Sequence, residues 1–259
     1  MANLIHKTAI VGERVKLGAN VSIGPYSVID GPVNIGDDVT VGSHCVIEGD
    51  TTIGNGCQFF TGAVIGSMPQ DRKHQKKDKV FLSIGANNVF REYVTANPGT
   101  IEGGGTTRIG DSNLFMACSH VAHDCQIGNH CVLANYVGLS GHVTIEDRAV
   151  VGGLSGVHQY ARVGYLSMIG GCSRVNQDVP PFSLVVGNPA TIRGLNIVGL
   201  KRAQVPSENQ KILHRAFKVL FSSGLNRSHA VLEVQNQLNE VPEVQRVIEF
   251  IQASKRGIS

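Results

Sequence analysis

Residues 5–29 read IHKTAIVGERVKLGANVSIGPYSVI, and within them Ile5, Val11, Leu17, Ile23 and Ile29 stand six apart. The series runs on through Ile35, Val41, Ile47, Ile53, Phe59 and Ile65 without a miss. After a gap it resumes at Ile84, Phe90 and Ala96. A second gap leads to Ile109, and the spacing then holds through Phe115, Val121, Ile127, Leu133, Leu139, Ile145, Val151, Val157, Val163, Ile169 and Val175. A six-residue period of branched aliphatics is the pattern of a hexapeptide β-helix. Three hexads close one triangular coil, so residues 18 apart stack on neighbouring coils. The aliphatic points inward and rests on its counterpart at the strand spacing of ~4.8 Å. The positions two before it are mostly small, as at Val21, Ser27, Val33, Cys45, Cys57, Cys125 and Cys131. Glycine follows the aliphatic at thirteen places between Gly12 and Gly170. It is expected there to supply positive φ at the corners.

Composition agrees with a narrow interior. The 259 residues include 31 glycines, no tryptophan, and only 5% aromatics. A net charge of +3 with 42% apolar residues excludes a disordered polyelectrolyte. Glycine is not at every third position, which excludes collagen. No apolar run approaches the ~18 residues of a membrane helix, and no secretory signal pattern is expected at the start. The six cysteines form no CxxC pair. They are expected as reduced, packed thiols of a cytoplasmic protein.

The two gaps predict projecting loops at about 67–83 and 97–108. The first is basic, with Arg72, Lys73, Lys76, Lys77 and Lys79 against Asp71 and Asp78. The second carries Gly103-Gly104-Gly105 and is expected to be flexible. Segment 201–259 is basic too, with nine Lys/Arg against five Asp/Glu. This charge suits an anionic partner, a nucleotide diphosphate or an acidic protein. No aromatic interleaving points to nucleic acid. The hexads place a β-helix over 1–190 and a small helical domain over 191–259. In that domain Ser207 with Gln210 reads as a capping box, and Gly224 as a stop. Further helices are expected from Ser228 to Asn239 and after Pro242.

Four histidines fall within the coils: His120, His123, His142 and His158. The 18-residue repeat sets His123 beside Gly141, Gly141 beside Gln159, and His142 on Asp124. An imidazole next to a glycine amide is a general base beside an oxyanion donor. That pairing suits acyl transfer without a covalent intermediate. A rival use is three-histidine zinc ligation, as in β-helix proteins resembling the gamma-class carbonic anhydrases. Here that ligand spacing is not clearly reproduced.

The segments CSHVAHDCQIGNHCVLANYVGLSGH (118–142), GVHQY (156–160), QDVPPF (177–182) and GLNIVGLKR (194–202) resemble the bacterial UDP-N-acetylglucosamine 3-O-acyltransferases. The likeness covers essentially the whole chain. It implies a left-handed parallel β-helix, a homotrimer, and the opening step of lipid A synthesis. An (R)-3-hydroxyacyl group would pass from the phosphopantetheine of acyl carrier protein to UDP-N-acetylglucosamine. No cofactor and no metal are implied, and no membrane insertion. By the same resemblance His123 is the base, Asp124 orients it, and the Gly141 amide is the oxyanion donor. Asp71, Lys73, His120, His142, His158 and Gln159 would line the sugar, and Asn196 and Arg202 the nucleotide. The acyl chain would follow a groove between subunits near Met168, Gly170 and Gly171. Asn97 and Pro98, where the family often has His-Arg before Gly-Thr, depart from the family pattern, as do Val198 and Ala203. They leave room for the 3-amino analogue of the sugar nucleotide as acceptor. Two other rivals remain. One is the later N-acyltransferase of the pathway, which carries an extra N-terminal domain. The other is a trimeric scaffold without activity.

Overall fold

The computed structural model describes residues 2–75, 78–238 and 241–259. Lys76 and Lys77 of the basic loop, and the expected helix end at Asn239, lie outside the described residues. The hexads form a left-handed parallel β-helix whose three faces are sheets of eleven, nine and eight strands. Ile5, Ile23 and Val41 belong to the first face, Val11, Ile29 and Ile47 to the second, Leu17, Ile35 and Ile53 to the third. Register follows the expected repeat: Val132 pairs with Val150, and Ile127 with Ile145. The stacked aliphatics are buried throughout the coils after the first, whose Ile5 is 44% exposed. Phe59, Phe90 and Phe115 stack along the first face with centroids 4.9 and 4.6 Å apart. All six cysteines are free, and Cys45, Cys57, Cys125 and Cys131 are packed inside.

The role expected of the corner glycines is overturned. Of the thirteen that follow an aliphatic, only Gly66 has positive φ. The left-handed residue comes two places later, as at Asn20 (+58°), Ser112 (+58°), Asp124 (+61°) and His142 (+63°). Glycine is needed instead where coils touch. A Cβ on Gly24 would stand 2.6 Å from the Gly42 carbonyl oxygen.

The loops are shorter than expected. Phe81–Ile84 and Thr106–Ile109 are strands that pair with each other on the third face. Leu82 and Thr107 turn inward there and are buried, so the chain rejoins the prism before the hexad resumes. The inserts are therefore 67–80 and 97–105. The helical part also starts later than 191. Ser183–Gly187 and Ala190–Leu195 form a hairpin on the first face. Among the described residues four helices follow: α1 (Ile197–Arg202), α2 (Ser207–Ser222), α3 (Arg227–Gln237) and α4 (Pro242–Gln252). Pro206, not Ser207, is the N-cap of α2, with no side-chain cap. Gln210 turns back to donate to Val205 O instead. Gly224 follows the helix end with φ +76°, as expected of a stop. Leu213, Phe217, Val234, Val244 and Ile248 pack with Leu166 and Phe182 of the prism into a second core.

Gly24→Ala is expected to lower stability by about 1–3 kcal/mol, because the clashing oxygen is backbone. Ser112→Gly should change it by less than about 1 kcal/mol, relief of positive φ offsetting a freer unfolded chain. Urea unfolding of both at one protein concentration decides. A Gly24→Ala variant as stable as wild type would refute close approach as the reason for the glycine.

Candidate active site

The candidate chemistry gathers on one edge, the second corner, where the chain turns from the second face to the third. Both inserts leave from it, one after Ile65 and one after Ala96. On the next three coils the same corner holds His123–Asp124, Gly141–His142 and Gln159–Tyr160.

Asp124 is the buried charge of this edge, its side chain 1% exposed. Oδ1 accepts from Thr100 N at 2.9 Å and Oδ2 from Thr100 Oγ1 at 2.7 Å. Its own N–H donates to Thr107 Oγ1 at 2.7 Å. Oδ2 also lies 2.8 Å from His123 Nδ1. An ionised carboxylate only accepts, so Nδ1 carries the proton and Nε2 keeps its lone pair. His142 Nε2 is 3.8 Å from the same oxygen, beyond a hydrogen bond. Its ring meets His123 edge-on and stacks on Tyr160 with centroids 4.4 Å apart. Burial pushes the His142 imidazole below its ordinary value, against the opposing pull of Asp124. Burial and then the charge of His123 do the same to His120, whose Nδ1 lies 2.7 Å from Thr95 Oγ1.

Gly141 supplies an open donor. At the third corner the equivalent amides are taken by a ladder one coil on. Asp111 N donates to Asn129 Oδ1, and Asn129 N to Asp147 Oδ1. Among the described residues the Gly141 N–H has no such acceptor. A Cβ at Gly141 would strike the His123 ring. Glycine therefore keeps an imidazole and a bare N–H side by side.

Comparison with known proteins places this corner in a family. Residues 178–259 match a family described as UDP N-acetylglucosamine O-acyltransferase, domain 2, and residues 106–141 match the bacterial transferase hexapeptide repeats. A relative from Aliarcobacter butzleri, named as an acyl-carrier-protein-dependent UDP-N-acetylglucosamine O-acyltransferase, is 48% identical over 99% of this chain and 98% of its own. The chain belongs to that acyltransferase family. The solved structure of LpxA from Acinetobacter baumannii superposes with a TM-score of 0.95 at 39% identity, covering 98% of this chain and 99% of the other. LpxA from Bacteroides fragilis, a UDP-N-acetylglucosamine acyltransferase, gives 0.96 at 38%, covering 99% and 100%.

The other residues expected from the family resemblance fall into four places. Asp71 and Lys73 sit on the first insert, against the same corner. The Asp71 charge reaches His142. Lys73 Nζ donates to Glu102 Oε2 at 2.8 Å across to the second insert, and that pairing raises the ammonium above its ordinary value. His158 and Gln159 are exposed on the coil below. Asn196, Arg202 and Met168 lie elsewhere, beside a cleft of about 780 Å³ between α1 and the first face. Asn196 is the α1 N-cap there: Oδ1 accepts from Gly199 N and Nδ2 donates to Leu166 O. Gly170 lies under Val186, and Gly171 is exposed at the first corner. The first face is across the prism from the second corner, so one chain does not bring Arg202 or Met168 to His123.

Thr100, Thr107 and Asn97 were missed as site residues. The second insert is not a free loop: Thr100 is 5% exposed, and Gly103 backs directly onto the Asp124 carboxylate. Asn97 Nδ2 donates to Ser67 O and Met68 O, tying the two inserts together. The signal available was the reversal Gly99-Thr100 just above an acidic corner residue, hidden by the phase slip.

Thr100→Val is expected to reduce kcat about 10- to 100-fold with KM for the sugar nucleotide little changed. This is the worth of one hydrogen bond to a charged group. Thr100→Ser, which keeps the hydroxyl, should recover most of it. Steady-state kinetics of both variants checks this, and a valine variant with wild-type kcat refutes it.

Proposed function

We propose that the protein transfers an (R)-3-hydroxyacyl group from acyl carrier protein to the 3-hydroxyl of UDP-N-acetylglucosamine, at the start of lipid A synthesis. The observation that carries this reading is the His123–Asp124 pair beside the unclaimed Gly141 amide. His123 Nε2 takes the proton of the sugar hydroxyl as its oxygen attacks the thioester carbonyl. The carbonyl electrons move onto oxygen, where the Gly141 N–H stabilises them. Collapse reforms the carbonyl and breaks the carbon–sulfur bond. The departing phosphopantetheine thiolate takes the proton from His123. Asp124 holds the imidazole in the required tautomer and stabilises its cation.

The working unit is a homotrimer in this reading. The Arg202 and Met168 cleft belongs to the first face, and a neighbouring copy is what can bring it to the second corner. Arg202 then holds the diphosphate, and the apolar cleft near Met168 takes the acyl chain. The basic segments meet the acidic carrier. Free buried thiols fit the cytoplasm. Among the described residues no helix is long and apolar enough to cross a membrane.

His123, Asp124 and His142 also form one trio of metal-ligand types whose donor atoms lie within 4.8 Å of one another. The trio is poorly disposed to a cation. Asp124 Oδ2 already receives Thr100 Oγ1–H and faces the His123 Nδ1 proton, and a metal would have to displace both. Transfer is therefore metal-independent in this reading.

The deciding assay gives purified protein 3-hydroxyacyl carrier protein and UDP-N-acetylglucosamine in the presence of a chelator. Wild-type transfer is expected, with a fall of about 10²- to 10⁴-fold in His123→Ala, the usual worth of a general base. A zinc requirement, or an unaffected variant, would falsify the mechanism. Faster transfer to the 3-amino analogue, giving an amide, would move the acceptor but keep the base.

A further inference from the structure

Residues 253–259 leave α4 and return to the last coil. Asp178 N donates to Gly257 O at 2.9 Å, and Ser259 N to Asp178 O at 2.9 Å. Ser254 Oγ donates to Asp178 Oδ2 at 2.8 Å, and Ile258 is buried. These bonds lay Arg256 against the coil that carries His158. Arg256 Nη2 donates to Asn176 O at 3.2 Å and stands 3.2 Å from His158 Nδ1. Gln159 O also lies 3.2 Å from Nδ1. The two contacts make opposite demands. A carbonyl needs a proton on Nδ1, whereas a guanidinium, which has no acceptor and keeps its charge, needs a bare one. The arginine decides the matter. It is anchored at Asn176 O, and among the described residues no carboxylate competes for it.

We propose that Arg256 is a positioning residue: it holds His158 as the tautomer protonated on Nε2, so that His158 meets the sugar nucleotide as a hydrogen-bond donor and not as a second base. The inference rests on the acyl-transfer reading for its substrate, and on geometry alone for the tautomer. With Nδ1 occupied, Nε2 is the ring atom left to a ligand, and a nucleotide sugar presents oxygen acceptors to it. Residues 98 apart in the chain are thereby joined in one task.

The test uses full-length protein labelled with ¹⁵N-histidine, with the His158 ring assigned by its loss in His158→Gln. Without substrate, the nitrogen shifts should show Nδ1 bare and Nε2 protonated. Arg256→Met should give mixed tautomers, and Arg256→Lys should restore part of the bias. Ser254→Ala, which loosens the tail but spares the guanidinium, should leave the tautomer as in wild type. In the transfer assay Arg256→Met should raise KM for the sugar nucleotide about three- to tenfold, the size of one net hydrogen bond, with kcat within about twofold. Adding Arg256→Met to His158→Gln should change nothing further. A protonated Nδ1 in wild type, or additive losses in the double variant, would overturn the proposal. Absence of transfer by wild type would sink the acyl-transfer reading and leave the tautomer result standing.

Discussion

The stacking of each inward side chain on the residue 18 places on is the constraint from which the rest follows. Parallel strands of two residues have few hydrogen bonds of their own, so each coil is held by the next. Ile127 stacks on Ile145 only if each coil gives its faces the same number of residues, and Phe90 still stacks on Phe115 because the insert between them leaves the faces unchanged. An extra residue inside a face would throw the following aliphatics out of the core. Extra chain can therefore leave only at a corner and must return to the same register. Both inserts do so, and the four-residue strands Phe81–Ile84 and Thr106–Ile109 mark where the chain is caught again.

That rule turns sequence position into columns along the prism, and the columns differ in what they do with spare backbone amides. On the third corner a ladder of Asp and Asn, Asp111 to Asn129 to Asp147, closes each amide with the side chain of the next coil. On the second corner His123, Gly141 and Gln159 occupy the same register and make no ladder. An open amide costs stability and offers a donor. Asp124 shows the opposite economy. A carboxylate whose side chain is 1% exposed is tolerable only with several donors, and Thr100 alone contributes two. The second insert is thus the means by which a charge is buried beside an imidazole on a prism too thin to bury it by itself.

The coil arithmetic was legible because it depends on spacing alone. It places His142 on Asp124 and His123 beside Gly141, as the structure does. It failed where an insert intervenes. Thr95 pairs with His120 across 25 residues, not 18, and Thr100 reaches Asp124 across 24. Asn97, a departure from the family pattern, and Thr100, which follows it, are fastenings of the corner. The glycines failed for another reason. A glycine tolerates both positive φ and close approach, and composition does not separate the two. Some residues that carry positive φ, such as Asn20, Asp124 and His142, are types enriched there, but Leu154, Tyr160 and Cys172 do not announce it.

Positive φ at Asp124 and His142 also bears on how the site is aimed. A left-handed residue turns the chain sharply, so the side chain on it projects from the edge of the prism and not from a face. Two such residues one coil apart face the same way, which is why Asp124 Oδ2 stands within 3.8 Å of His142 Nε2 while bonding His123. The strain of a left-handed non-glycine, about 1 kcal/mol or more per residue, recurs along the prism and is supported by the stack. The site borrows that geometry and adds to it only what a corner lacks: a glycine to clear the imidazole, and a threonine to hold the carboxylate. In the trimeric reading a neighbouring copy would bring the cleft beside Arg202, which lies across the same prism, to this edge.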